Sequence, residues 1–213
     1  MKFKFSPYSN LSKRAFTLSE TLIALVIIGV IAAITVPTII SGTRKSEYSA
    51  RLKKFYSSIN QAQTRAYALG DSWDNWCENP NSYTPITDFV EKYLLPQISV
   101  IQAKKESGKY TLYLNDGTSF YVTKESCLHF LFDANGDKKP NVSGRDQYRF
   151  SFCPYNIDQS IIIAQPGVVF AYNWQAGKTR EQALQACTSN PDTCSKLLMM
   201  DGWVYKRDYP HAI

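Results

Sequence analysis

The sequence predicts an α+β fold: one long N-terminal helix packed on a C-terminal antiparallel sheet. Three observations carry this. An uncharged apolar run from Thr21 to Ile40 leads into apolar residues recurring at spacings of four and three. Two alternating runs then flank Asn115-Asp116-Gly117, a hairpin signature. Further short β-type runs follow, and one helical pattern comes late, so helix and strands are segregated along the chain rather than interleaved.

The N-terminal segment, residues 1–15, carries Lys2, Lys4, Lys13 and Arg14 and no acid. The apolar run begins at once after it, at Phe16, with Glu20 as its one charge before Ile40. As a helix, twenty residues span about 30 Å, the thickness of a bilayer core, so residues 18–40 read as a transmembrane segment. The four bases place residues 1–15 on the cytoplasmic side and the C-terminus outside. Ordinary secretory signals put a small-residue cleavage site after the apolar stretch. Here the small residue, Ala15, precedes it, so cleavage there leaves the apolar segment on the mature chain. Pro37 removes one helical hydrogen bond and should kink or loosen the helix. Beyond it, Tyr48, Leu52, Phe55, Ile59, Ala62, Ala66 and Leu69 form a single stripe, and Gly70 supplies a stop. The helix, residues 16–70, therefore runs from about Thr17 to Leu69, roughly 80 Å long.

The junction KRAFTLSETLIALVIIGVIAAITVPTII resembles the prepilin leader of type IV pilins and type II secretion pseudopilins. In that family a dedicated prepilin peptidase cuts before a Phe, methylates the new amine and leaves a Glu five residues in. Phe16 and Glu20 match those positions, and Ala15 stands where the family mostly has Gly. The resemblance implies a 1–15 leader removed at Ala15/Phe16, and a filament in which Glu20 meets the Phe16 amine of a neighbouring subunit. The family also carries a helix-breaking residue in the region of Pro37. Read without the family, Glu20 is a carboxylate at the membrane edge, functional by default or simply snorkelling to the interface.

Residues 71–213 form the expected globular domain. Residues 71–108 read as an irregular linker with one short helix, capped by Thr87 or Asp88, with Phe89, Val90, Tyr93 and Leu94 inward. KYTLYLNDGTSFYVT gives the hairpin. Strands are expected at Leu128–Phe132, Tyr148–Cys153, Gln159–Ala164, Val168–Tyr172 and Trp203–Lys206, and a helix at Thr179–Ala186. Five cysteines in an exported chain favour disulfides. Cys187 and Cys194 close a short loop, CTSNPDTC, whose centre favours a turn; the arrangement resembles the disulfide-bounded C-terminal loop of many pilins. Cys77, Cys127 and Cys153 allow one further bridge, with Cys127–Cys153 joining two predicted neighbouring strands. No Cys-x-x-Cys spacing points to zinc or redox chemistry.

FDANGDKKPNVSGRD lies between two strands. Asp133, Asn135 and Asp137 occupy positions one, three and five of a Ca²⁺-loop pattern, with Asn141 at nine and the Lys139 carbonyl at seven. Position six is Lys138 rather than Gly, position twelve is Gly144 rather than Glu, and Asp146 comes two residues late. The competing reading is an Asx-rich turn whose side chains cap backbone amides. This string and the later Asp201-Gly202-Trp203 with Tyr209-Pro210 resemble a subgroup of bacterial pilin-like proteins.

Net charge is +6, four of it in residues 1–15, so the mature chain offers no charge argument for nucleic acid. His129 sits in an apolar run and His211 near the end; no phosphate loop, nucleophile elbow or metalloprotease helix is present. Trp73, Trp76, Tyr83 and Trp174 are candidate core residues or a binding patch. No enzyme is predicted. The reading is a pilin or pseudopilin, structural subunit of a type IV pilus or type II secretion pseudopilus. Its partners would be the inner membrane, the prepilin peptidase, other pilin subunits and an assembly platform protein. Three alternatives stay open: a minor, tip-located subunit, a membrane-anchored periplasmic binding domain that does not polymerise, and a soluble secreted protein cut near Val30-Ile31-Ala32.

Overall fold

The structure, a computed structural model, describes residues 16–69, 86–106, 108–124, 127–153, 168–172 and 179–213. Ala15, Gly70, Trp73, Trp76, Cys77, Tyr83, Trp174 and the strand expected at Gln159–Ala164 lie outside them, as do the side chains of Ala66 and Phe89.

Two compact units divide the chain, Met1–Gly42 and Thr43–Ile213. Helix α1, Leu18–Ala68, contributes its apolar part to the first and its amphipathic part to the second. It continues through Pro37. Thr35 and Thr38 donate their hydroxyls to the Ile31 and Ile34 carbonyls, the i−4 back-bonding open to Thr in an apolar helix. In the first unit the large apolar side chains are exposed, from Leu18 at 78% to Ile40 at 51%, so no core among the described residues explains their hydrophobicity.

In the second unit a six-stranded antiparallel sheet follows chain order: β1 Val100–Glu106, β2 Lys109–Leu114, β3 Ser119–Lys124, β4 Leu128–Asp133, β5 Gln147–Phe152 and β6 Val169–Ala171. Period-two alternation stacks the inward residues in rows across the strands. One row is Leu112, Phe120, Phe132 and Tyr148, and the next is Tyr110, Val122, Phe130, Phe150 and Ala171. The α1 stripe Tyr48, Leu52, Phe55, Ile59 and Ala62 is buried in the same core. Phe55 stacks on Phe132 at 4.5 Å and meets Phe120 and Phe150 at 5.1 and 5.5 Å. The chain is thus α+β and pilin-like, a long N-terminal helix with an antiparallel sheet. The predicted stripe ends early, however. Leu69 is 73% exposed and lies just past the end of α1 at Ala68.

The β2–β3 turn forms as its Asp-Gly predicts. Gly117 has φ +79°, and Asp116 Oδ1 accepts from the Thr118 amide and hydroxyl at 3.2 and 2.7 Å. Cys127 and Cys153 flank the Leu128↔Phe152 pair and are bonded, with Cα atoms 4.6 Å apart.

Four expectations need correction. The linker contains strand β1, whose residues from Ile101 to Glu106 are all exposed, so no buried face imprinted an alternation on it. The short helix, α2, starts at Ile86, ahead of the expected cap, and widens into a π turn over Val90–Leu94 that buries Val90, Tyr93 and Leu94. Trp203–Lys206 is no strand; Gly202 and Trp203 both have positive φ, at 67° and 69°, and end a helix instead. That helix, α4 (Cys194–Met200), follows α3 (Arg180–Ser189) and had no counterpart in the sequence reading. The α3 helix itself begins as expected, with Thr179 and Gln182 forming a capping box.

Candidate functional site

Three regions hold most of the residues singled out by the sequence. The first is the start of α1. Phe16 is 83% exposed. Glu20 Oε2 accepts from the Thr17 amide at 2.8 Å and its hydroxyl at 2.9 Å, while the Glu20 amide donates to Thr17 Oγ1 at 3.2 Å. This reciprocal pair satisfies free amides at the helix N-terminus and holds the carboxylate against the first turn. Among the described residues one helix is long and apolar enough to cross a membrane, and its most apolar window has no buried residue.

The second region is the β4–β5 loop. Its expected ligand residues are tied into hydrogen bonds within the protein, while Asn135 Oδ1 is buried without a partner. Asp133 accepts from the Asn135 amide and from Gln147 Nε2, both at 3.0 Å. Asp137 turns toward β2 and accepts from the Tyr113 hydroxyl at 3.0 and 3.1 Å. Asn141 contributes its backbone amide, which donates to Asp146 at 2.9 Å. Asp146 is the residue whose weight spacing did not reveal. It is fully buried and accepts also from the Val142 amide and Asn135 Nδ2, at 2.7 and 3.1 Å. The Gly-Arg-Asp string was the available sign, since an Asp just after a left-handed Gly can close a turn. Asp133 and Asp146 thus cap backbone amides of the loop as Asx side chains do in turns.

Other elements clamp this loop. Asn135 Nδ2 reaches the Tyr48 hydroxyl at 3.2 Å, and Arg51 donates to the Ala134 carbonyl at 2.5 Å, tying it to α1. Tyr209 donates to the Gly144 carbonyl at 2.6 Å and Arg145 to that of Ala212 at 2.8 Å, tying it to the C-terminal tail. Burial raises the Tyr148 and Tyr205 pKa values well above the usual phenol range, so they act as hydrogen-bonding partners, 2.6 Å apart, rather than acids. Gly136 (φ +69°) lies so close to the hairpin turn that an added Cβ would sit 2.9 Å from the Gly117 carbonyl oxygen. Gly136→Ala should therefore destabilise the second unit by about 1–3 kcal/mol, read from its urea midpoint in detergent.

Burial raises the Asp133 pKa to about 6, with Asp146 and Asp137 adding repulsion against donors that pull it down. A carboxyl raised above its unfolded value near 3.8 is more readily protonated when folded. Its contribution is then full below pH ~4 and lost as pH rises to ~6. Asp133→Asn should flatten that part of the stability–pH curve, a difference on the order of 2–3 kcal/mol. Denaturant titrations of both proteins from acid to neutral pH measure it.

Near the tail, Cys187 and Cys194 are joined, with Cα atoms 4.5 Å apart. Among the described residues they form, with His211, the one group of three side chains whose His, Cys or acid atoms converge within 4.8 Å. Disulfide sulfurs have no thiolate to offer a metal, and His211 bonds the Cys187 carbonyl at 3.0 Å, so the arrangement is structural. His129 likewise bonds Ser151 at 2.8 Å.

Residues 38–213 match a family of unknown function (DUF6613), and residues 10–36 match the prokaryotic N-terminal methylation motif. No curated protein and no solved structure matches. The methylation motif makes the N-terminal segment prepilin-type, type IV pilin-like, and neither matching family indicates an enzymatic domain.

Proposed function

The chain belongs to the family of unknown function (DUF6613), and we propose that it is a pilin or pseudopilin, the structural subunit of a type IV pilus or type II secretion pseudopilus. The observation that carries this is the methylation motif over residues 10–36, continuous with a helix whose apolar first half is exposed among the described residues. Prepilin peptidase would cut between Ala15 and Phe16 and methylate the Phe16 amine. The mature chain would wait in the inner membrane as a single-pass protein, with Thr43–Ile213 outside the cytoplasm. An assembly platform would then move it into a filament with other pilin subunits, exchanging lipid for neighbouring helices along residues 16–40. Glu20 would meet the Phe16 amine of the next subunit, and Pro37 would ease helix bending.

The rival is an anchored monomer that never polymerises. Shearing filaments from cells and quantifying this chain in them against the membrane fraction separates the two. A subunit appears in the sheared fraction, abundantly if major and at few copies if minor; an anchored monomer does not. Ca²⁺ is not needed in this reading, because Asp133, Asp137 and Asp146 already accept hydrogen bonds from protein donors. Adding Ca²⁺ or EGTA should leave the unfolding midpoint unchanged within about 1 °C, whereas a bound ion at a hundred times its Kd would stabilise by about 2.7 kcal/mol.

A further inference from the structure

We propose that the end of the second unit where α1 enters it is a docking surface for anionic phospholipid headgroups on the outer face of the inner membrane. Four cations gather there. Arg44 and Lys45 lie one turn before Tyr48 on α1, on the same side of the helix, so the stripe that is apolar from Tyr48 onward turns basic as it leaves the core. Lys138 and Lys139 come from the β4–β5 loop. Asn135 ties that loop to this point, since its Nδ2 is 3.2 Å from the Tyr48 hydroxyl and 3.4 Å from the Lys139 carbonyl.

Of the nearby acids, one is ion-paired, two are buried and Asp137 turns toward β2. Glu47 pairs with Arg51 at 2.7 Å, Asp137 takes the Tyr113 hydroxyl, and Asp133 and Asp146 are buried and hydrogen-bonded within the loop. Arg44, Lys138 and Lys139 are exposed, Lys45 partly so, and none makes an ion pair among the described residues. Pro140 and Val142 are exposed beside them and add an apolar edge to the loop.

Chain length alone sets the reach. Arg44 follows Ile40 by four residues, about 6 Å of helix, and Tyr48 by about 12 Å. The headgroup layer is about 5–8 Å deep on each side of the hydrocarbon. By chain length along α1, Arg44 and Lys45 therefore fall within it. Basic clusters beside a membrane helix recognise anionic lipid, and the attraction fades within a Debye length. Lipid contact here would hold the globular unit down on the membrane before assembly, and leaving the bilayer would release the loop.

This rests on the single-pass reading and is tested together with it. The full chain is reconstituted in nanodiscs of phosphatidylcholine, or of phosphatidylcholine with about one quarter phosphatidylglycerol, and amide hydrogen exchange is followed over residues 134–146. Exchange should slow about five-fold or more on the anionic discs, and revert in high salt and in the variant R44Q/K45Q/K138Q/K139Q. Equal exchange on both discs overturns the proposal while leaving membrane insertion intact. So does equal loss of protection in a control, K196Q, which removes a lysine of α4 outside the proposed cluster. Failure of the chain to enter either disc overturns both readings.

Discussion

Truncating Phe55 to alanine is expected to unfold the second unit or leave it barely folded, while residues 16–42 remain in the membrane. Phe55 is 2% exposed and stacks between rings from three strands, Phe120, Phe132 and Phe150. Losing it removes the transfer energy of the ring and leaves a cavity that flanking aromatics cannot collapse, about 3–5 kcal/mol. That is a large share of the 5–15 kcal/mol typical of a domain. The change would also detach the helix from its sheet, since the stripe has no second aromatic at the centre of both inward rows. Phe55→Leu should recover about half of the loss. Limited proteolysis and the urea midpoint in detergent check this. Equal protease resistance of wild type and Phe55→Ala would mean that the helix is not held by this contact.

Glu20→Val carries the second large effect, on assembly rather than stability. In the single chain the carboxylate only caps its own helix through Thr17, an exposed contact of small energetic weight. A variant should therefore be inserted normally. In the proposed filament the same carboxylate offsets the Phe16 amine of a neighbour in an apolar surrounding, where an unpaired charge is costly by several kcal/mol. The variant should accumulate in membranes and fall to background in sheared filaments. Glu20→Gln keeps an oxygen for the Thr17 cap and loses the charge. If it assembles normally, the cap rather than the charge is what matters, and the proposed pairing is wrong.

Residues whose surroundings are local were legible in the sequence. The stripe from Tyr48 to Ala62 and the Asp116-Gly117 hairpin declare themselves by spacing, because one face of a helix and one turn fix their own chemistry. β1 was not legible, because an exposed edge strand with Lys104 and Lys105 has no core to alternate against, and its charges guard the edge instead. Trp203 misled for a different reason. An aromatic following a Gly reads as the start of a strand, and only the tertiary fit against Tyr56 and Phe150 explains why it accepts positive φ. In the loop, spacing ranked Asp137 as a ligand and left Asp146 aside. The fold does the reverse, turning Asp137 out to Tyr113 and burying Asp146 under three donors. Which carboxylate turns inward depends on where α1 and the tail close over the loop, and no local pattern encodes that.

The central claim is that residues 16–40 stay on the mature chain after prepilin-type cleavage. Intact mass and N-terminal sequencing of the protein taken from membranes test it most directly. The account predicts a chain that starts at methylated Phe16. A start near Ala33 would mean a soluble exported domain, and the filament and lipid proposals would both fall.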